Sequence, residues 1–421
     1  MTNTPRTLPL APTSAAPPAE VPVRDPRPGL GGLGLPELER WFTDRGQPPY
    51  RARQVADAVW RSNAATAAGV STITAALRDE LDAAFRVDTL ADTEVRTTDG
   101  GLTEKALHRL SDGALVESVL MHYPARGGQR ERHTLCISSQ AGCAVGCPFC
   151  ATGELGFTRD LETAEIVDQV RHAARRLAAD GRRLTNVVFM GMGEPLLNLD
   201  RVLEAVDALN DPARFGLGAR HITVSTSGVV PGMRRLTAIG PQFTLAVSLH
   251  AARDALRDVL VPLNRRWPIA EVVDAARAHA RATGRRVSYE VTMISGINDT
   301  ELDARAMADL LRGDHAHVNL IPMNPVAHTP WTASPMEVIE RFAATLQTAG
   351  IATTVRRNRG QEIGAACGQL AAERSGEPPA AAVARRRERL VGESAAALRG
   401  ERSHEAVPAA IGAADSSWMG E

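Results

Sequence analysis

From about residue 134 onward the chain alternates short apolar runs with amphipathic stretches, and this rhythm leaves few folds open. Strands are expected at Asn186–Met190, His221–Thr226, Thr244–Leu249, Val287–Met293, His317–Pro322 and Ala352–Arg356. Between them lie helical stretches such as Ala164–Ala178, with Thr163 as the expected N-cap. Repeated β-α units call for a parallel sheet joined by right-handed crossovers. Six such units are too few for a closed eight-stranded barrel. The expected fold class is therefore α/β, an open partial (β/α)6 barrel, with its chemistry in the loops at the carboxyl ends of the strands.

The flanks of this core, taken as 129–370, differ from it. Residues 1–30 are rich in Pro, Ala and Thr and read as a disordered tail. Residues 31–93 read as a small N-terminal helical accessory domain. Its first helix carries Leu35, Leu38, Trp41 and Phe42, with Pro36 in the first turn; further helices lie near Arg51–Arg61 and Ile73–Leu81. In 94–128, the stretch LTEKALHRLSDGALVESVLM alternates about Ser111-Asp112-Gly113 and predicts a β-hairpin linking accessory domain and core. Residues 371–421 are rich in Ala, Arg and Glu and read as a mobile or partly helical tail.

The formal charge is −1, so no global basicity announces nucleic acid, although a local basic face fits inside a neutral total. No apolar run reaches the roughly 18 residues of a membrane span, and the N-terminus has no apolar segment of the secretory kind. A cytoplasmic protein is expected. Its five cysteines are then reduced thiols, metal ligands or redox catalysts rather than structural disulfides.

Three of those cysteines sit close together in Cys143-Ala-Val-Gly-Cys147-Pro-Phe-Cys150. Spacings of three and then two residues let one loop wrap three thiolates around a small inorganic core. Thiolates select iron-sulfur clusters or zinc. A closed zinc site wants four ligands, and no histidine lies within the loop; His133 is the nearest. Three thiolates on a [4Fe-4S] cluster leave one iron open for a substrate.

This CxxxCxxC loop resembles that of the radical S-adenosylmethionine (SAM) superfamily. The longer string CISSQAGCAVGCPFCATGELGFTRDL is similar to the rRNA adenine carbon-2 methyltransferases, dual-specificity enzymes acting on 23S rRNA and tRNA. Further motifs fit that family in order: DGALVESV, GMGEPLLN, STSGVVP, SLHA, LIPMNP and RGQEIGAACGQL. The similarity spans about 35–370. It implies that the open iron of the cluster binds SAM, whose one-electron cleavage yields a 5′-deoxyadenosyl radical, a chemistry belonging to the cofactor. It also implies SAM contacts at Gly193, Glu194, Ser225, Ser248, Leu249, His250 and Asn324. Read alone, these residues are polar groups and close-approach glycines at strand ends, equally at home in turns.

Cys136 and Cys367 stand apart from the cluster motif. Spacing alone leaves each open between a small buried hydrophobe and a reactive thiol. The resemblance assigns them roles. Carbon-2 of adenine is electron-poor and closed to polar methylation, so Cys367 takes a methyl group from one SAM. A second SAM supplies the radical that activates this methyl group. The resulting RNA adduct is released when Cys136 forms a disulfide with Cys367. Glu117 matches a family carboxylate in the role of proton acceptor, a role Cys136 also suits. Implied partners are 23S rRNA, tRNA and a one-electron donor such as flavodoxin, acting on a monomer. The implied targets are adenine-2503 of 23S rRNA and adenine-37 of some tRNAs; to reach a buried methyl-cysteine the adenine must leave its stack, by base flipping or from a loop. The helical domain 31–93 is expected to help bind RNA, with Arg356, Arg357 and Arg359 or Arg182 and Arg183 at phosphates. Two other readings are methylation of carbon-8 of the same rRNA adenine and a radical SAM enzyme with a non-RNA substrate. The pair Cys136 and Cys367 argues against the latter.

Overall fold

The computed structural model describes residues 24–128, 130–356, 358–370 and 380–402. Three helices lead: α1 (Leu35–Thr43), α2 (Tyr50–Ala56) and α3 (Ala75–Ala84). Pro36 lies in the first turn of α1, and Glu37 closes that turn by accepting from the Gly34 N–H at 2.8 Å. Leu38, Phe42, Val55 and Leu81 face inward, and Trp41 meets Phe42 and Phe85 edge-on. After α2 the chain widens into a π-helical turn, Asp57–Arg61, that carries the buried Trp60.

Next come β1 (Leu90–Thr98), β2 (Thr103–Leu110) and β3 (Leu115–Tyr123). The turn at Ser111-Asp112-Gly113 joins β2 and β3, with Gly113 at φ +81°. The sequence suggested one hairpin, whereas the structure forms a three-stranded antiparallel meander. Most of LADTEVRTT in β1 is polar and solvent-facing, so this edge strand lacks the apolar alternation that marks a strand in sequence.

The meander continues directly into the core sheet, because β3 pairs antiparallel with β4 (Arg132–Cys136). A two-stranded ribbon of β5 (Gln140–Gly142) and β6 (Phe157–Asp160) then brackets the short α4 (Ala151–Leu155). From there helix and strand alternate. The elements are α5 (Thr163–Ala179), β7 (Asn186–Phe189), α6 (Leu199–Asn210), β8 (Ile222–Thr226) and α7 (Val230–Ile239). They continue with β9 (Thr244–Ser248), α8 (Asp254–Leu260), α9 (Ile269–Thr283), β10 (Val287–Met293), α10 (Glu301–Leu310), β11 (Ala316–Pro322), α11 (Met336–Thr348) and β12 (Ala352–Val355). The ten-stranded sheet runs β1-β2-β3-β4-β7-β8-β9-β10-β11-β12, and the strands from β4 to β12 are parallel. The α/β partial barrel expected from sequence is present, and β4 adds a first parallel strand ahead of the six expected. Glu162, not Thr163, precedes α5, and its N–H donates to Glu165 at 2.9 Å.

Of the 1–30 tail, residues 24–30 are described: Gly29 bridges to Arg86, and Leu30 is buried. Of 371–421, Ala380–Leu398 forms α12, which packs on α8 and buries Leu390, Ser394 and Ala397. Arg402 reaches Asp258 of α8 at 2.8 Å. No helix among the described residues is long and apolar enough to cross a membrane.

Arg171 of α5 joins the leading helices to the barrel. Fully buried, it donates to the carbonyls of Val59 (3.1 Å), Val87 (2.8 Å) and Ala64, and it pairs with Asp168. Asp168 in turn accepts from the Thr89 N–H and hydroxyl, both at 2.7 Å. Arg171→Met therefore leaves the buried Asp168 carboxylate without its cation and three carbonyls without the arginine donor, and we expect a loss of about 3–5 kcal/mol. Thermal unfolding measures this, and an unchanged midpoint would show that the arginine is not the joint.

Candidate active site

Three pieces of chain meet at the carboxyl ends of the parallel strands. The first is the cluster loop. The Cys143 N–H donates to the Gly156 carbonyl at 2.8 Å, and the Cys150 N–H to the Cys147 carbonyl at 3.1 Å. Gly142 holds φ +77°, and a Cβ there would stand 1.9 Å from the Gly156 oxygen, so the loop closes only on glycine. Cys143, Cys147 and Cys150 face one cavity. Burial pushes the Cys143 thiol up to about 12 and raises Cys147 and Cys150 as well. A bound cationic core turns such thiols into thiolate ligands. The three thiols are one short of the four ligands of a closed zinc site, so the donor set fits an iron-sulfur cluster with an open iron better.

The second piece is the row of strand ends. Gly193, Glu194, Ser225, Ser248, His250 and Asn324 all line the same cavity. Leu249 does not: its side chain is fully buried, and its N–H donates to the Glu290 carbonyl at 3.0 Å. Glu194 is 3% exposed. One of its oxygens accepts from the Ser227 N–H and hydroxyl (both 2.7 Å), the other from the Leu196 N–H (3.0 Å), while burial raises its pKa. Burial, followed by Arg257, lowers the His250 pKa to about 3. Nδ1 of His250 accepts from the Thr292 N–H at 3.0 Å, so the neutral ring carries its proton on Nε2. Behind these ends lies Arg257, fully buried in α8, whose guanidinium donates to the carbonyls of Leu249 (3.0 Å), Ser248 (3.1 Å) and Ser227 (2.6 Å). In sequence it looks like an ordinary helical arginine, and nothing marks it as the brace of two strand ends.

The third piece is the loop carrying Cys367. Asn324 donates to the Cys367 carbonyl at 2.8 Å and accepts from Gln361 at 2.7 Å. The Ala151 N–H donates to the Gly368 carbonyl at 2.6 Å, and the Thr152 hydroxyl to the Leu370 carbonyl at 2.7 Å. Cys367 lines the main cavity, and it also lines a smaller one together with Cys136, Val119, Met121 and Met190. Both thiols are free. Glu117 lines neither cavity: it is buried on β3 and ion-paired with Lys105 at 2.9 Å.

The arginines read as phosphate contacts have separate fates. Arg356 turns into the cavities beside Cys136 and Cys367. Arg359 stacks on Tyr123 and donates to the His122 carbonyl at 2.8 Å. Arg182 lies 3.9 Å from Glu131, and Arg183 is exposed. Arg357 lies outside the described residues. Glu290 and Thr292, which also line the main cavity, were not apparent in sequence. Their only sign is a polar residue alternating with buried ones along β10.

Gly193 has φ +103°, and a Cβ there would come 2.6 Å from the Gln140 side chain, whose amide oxygen takes the Glu194 N–H at 2.8 Å. We expect Gly193→Ala to weaken SAM binding to the anaerobic protein by about tenfold or more, with a lower melting temperature. Titration calorimetry with unchanged affinity would show that the close approach at Gly193 is unimportant.

Comparison with known proteins agrees with this geometry. Residues 137–307 match the Radical SAM superfamily. The chain is 50% identical over 359 residues to a protein of Thermobifida fusca named as a probable dual-specificity RNA methyltransferase RlmN, covering 83% of this chain and 97% of that one. It is 47% identical over 377 residues to the Salinispora arenicola protein of the same name, covering 88% and 97%. A crystal structure of a radical SAM methyltransferase from Sphaerobacter thermophilus superposes with a TM-score of 0.78 at 46% identity, covering 82% of this chain and all of that one. With its cysteine loop, strand-end cavity and partial barrel, the chain belongs to the RlmN family of radical SAM RNA methyltransferases.

Proposed function

We propose that this enzyme methylates carbon-2 of adenine in 23S rRNA and in some tRNAs, at adenine-2503 and adenine-37, by passing the methyl group through Cys367. The observation that carries the reading is the shared cavity: Cys367 faces both the cluster loop and Cys136. A thiol used only for packing has no need of a second thiol and a cysteine triad on its two sides.

Cys143, Cys147 and Cys150 would hold a [4Fe-4S] cluster, which together with SAM supplies one-electron chemistry that makes a carbon radical. Cys367 accepts a methyl group and keeps that carbon at the cavity wall, where the flipped adenine is to meet it. Asn324, Gln361 and the Ala151 N–H fix the backbone that bears it. Cys136 then forms a disulfide with Cys367 and frees the RNA. Glu117 is paired with Lys105, whose ammonium lies beneath Gly364 in the turn leading to Cys367. This placement favours a role in supporting that turn over direct proton transfer. Two SAM are used per turnover, one for the methyl group and one for hydrogen abstraction. The reading places the enzyme in the cytoplasm, with a flavodoxin-like donor and the helices of 31–93 beside the RNA. The similarity to proteins named as dual-specificity RNA methyltransferase RlmN supports carbon-2 over carbon-8 as the methylated position.

Mass spectrometry of rRNA digests should show 2-methyladenine only in cells that have the protein. Peptide mapping of the active enzyme should find S-methylcysteine at 367. Cys367→Ala should keep about four irons per chain and bind SAM, yet give no methylated RNA. A Cys367→Ala enzyme that still methylates would end the relay scheme. Stoichiometric zinc in an active enzyme would end the cluster assignment.

A further inference from the structure

We propose that Arg356 is the cation that allows Cys136 to act as a thiolate when it releases the RNA from Cys367. This rests on the relay through Cys367 set out above.

The geometry is specific to this arginine. Among the described residues, three line both the cluster cavity and the smaller thiol cavity: Met190, Arg356 and Cys367. Arg356 is the only charged one. It follows β12, and its N–H donates to the Leu320 carbonyl at 2.8 Å, which turns the side chain inward. Its Nη2 reaches 3.9 Å from the Met121 sulfur on β3, in the wall of the cavity that Cys136 faces. An arginine gripping phosphate would point outward from the barrel.

Chemistry gives the cation a task. Only the thiolate form of Cys136 attacks sulfur at a useful rate. Cys136 is 7% exposed at the end of β4. Burial, followed by Cys367, pushes its thiol up to about 12, while Arg356 and the Met190 backbone pull it down. The titratable groups facing Arg356 are Cys367, Tyr123, Glu290 and Cys136; Cys367 does most to hold the guanidinium charged, and burial opposes it. Glu290 is itself occupied by Asn319 at 2.7 Å and Ser288 at 2.9 Å. Once Cys367 carries the RNA carbon, its sulfur is a neutral thioether. Cys136 is then the thiol left beside the cation.

The release step balances. The Cys136 thiolate attacks the Cys367 sulfur, and an S–S bond forms as the S–CH2 bond breaks. The electron pair of that bond leaves with the carbon, which takes a proton and becomes the methyl group. The two sulfurs are oxidised, and the carbon is reduced by the same two electrons.

The test compares wild type, Arg356→Gln, Arg356→Lys and Cys136→Ala as anaerobic holoenzymes with an RNA fragment, reading protein–RNA crosslink on denaturing gels from pH 7 to pH 9. Cys136→Ala should hold its crosslink at every pH; if it forms none, the relay itself fails. Arg356→Gln should accumulate crosslink at pH 7 and release it about tenfold faster for each unit of added pH, because the thiolate fraction rises tenfold. Arg356→Lys keeps the charge and should stay within about threefold of wild type. A second readout needs no turnover: the rate at which oxidised glutathione drives the Cys136–Cys367 disulfide, followed by peptide mapping. That rate should fall about tenfold in Arg356→Gln at pH 7 and recover as pH rises. Release by Arg356→Gln that matches wild type, or a defect that pH does not relieve, would overturn the proposal while leaving the relay standing. If Arg356→Gln fails to fold, disulfide formation in Arg356→Lys decides: a rate near wild type supports the cation's role, and a loss of tenfold or more overturns it.

Discussion

The site depends on one set of backbone contacts, those that tie the cluster loop to the Cys367 loop. The Ala151 N–H, one residue past Cys150, donates to the Gly368 carbonyl, one residue past Cys367. A step farther along, the Thr152 hydroxyl donates to the Leu370 carbonyl. The two loops lie more than two hundred residues apart in sequence. Chemistry that must hand a carbon from one place to another tolerates little misplacement, and a 1 Å error costs on the order of a hundredfold in rate. A direct backbone hydrogen bond between the loops, backed by one from the short, buried Thr152 side chain, meets that demand without relying on long flexible side chains.

Buried arginines extend the same logic outward. Arg257 ties three carbonyls at the ends of β8 and β9, and Arg171 ties three carbonyls of the leading segment to α5. Arginine suits this work because its planar fork satisfies several acceptors at once. Burying such a charge is costly unless each donor finds a partner. For Arg257 burial lowers the pKa to about 10, which still leaves it charged at neutral pH. The cavity therefore has walls held from behind by hydrogen bonds rather than by packing alone.

Much of this was legible in the chain. Strand–helix alternation depends on local periodicity, so six of the parallel strands could be read, and the cysteine spacing singled out the cluster loop. Three features were not legible, each for a physical reason. The edge strand β1 is polar on both faces and carries no alternation. Arg257 and Arg356 look like surface charges until the fold turns them inward. Glu290 sits mid-strand in a polar-lined barrel, where burial of a carboxylate depends on Asn319 and Ser288 from nearby positions. Expectations that came through family resemblance also met local detail: Leu249 faces the core, and Glu117 faces Lys105.

The central claim is that the transferred carbon resides on Cys367 while it loses a hydrogen atom. The most direct measurement supplies SAM with a trideuterated methyl group to reconstituted enzyme and an unmodified 23S rRNA fragment, followed by nucleoside mass spectrometry. The account predicts 2-methyladenine that keeps two of the three deuterons, since one is abstracted on the cysteine and replaced by a proton at release. Product that keeps all three deuterons would contradict it.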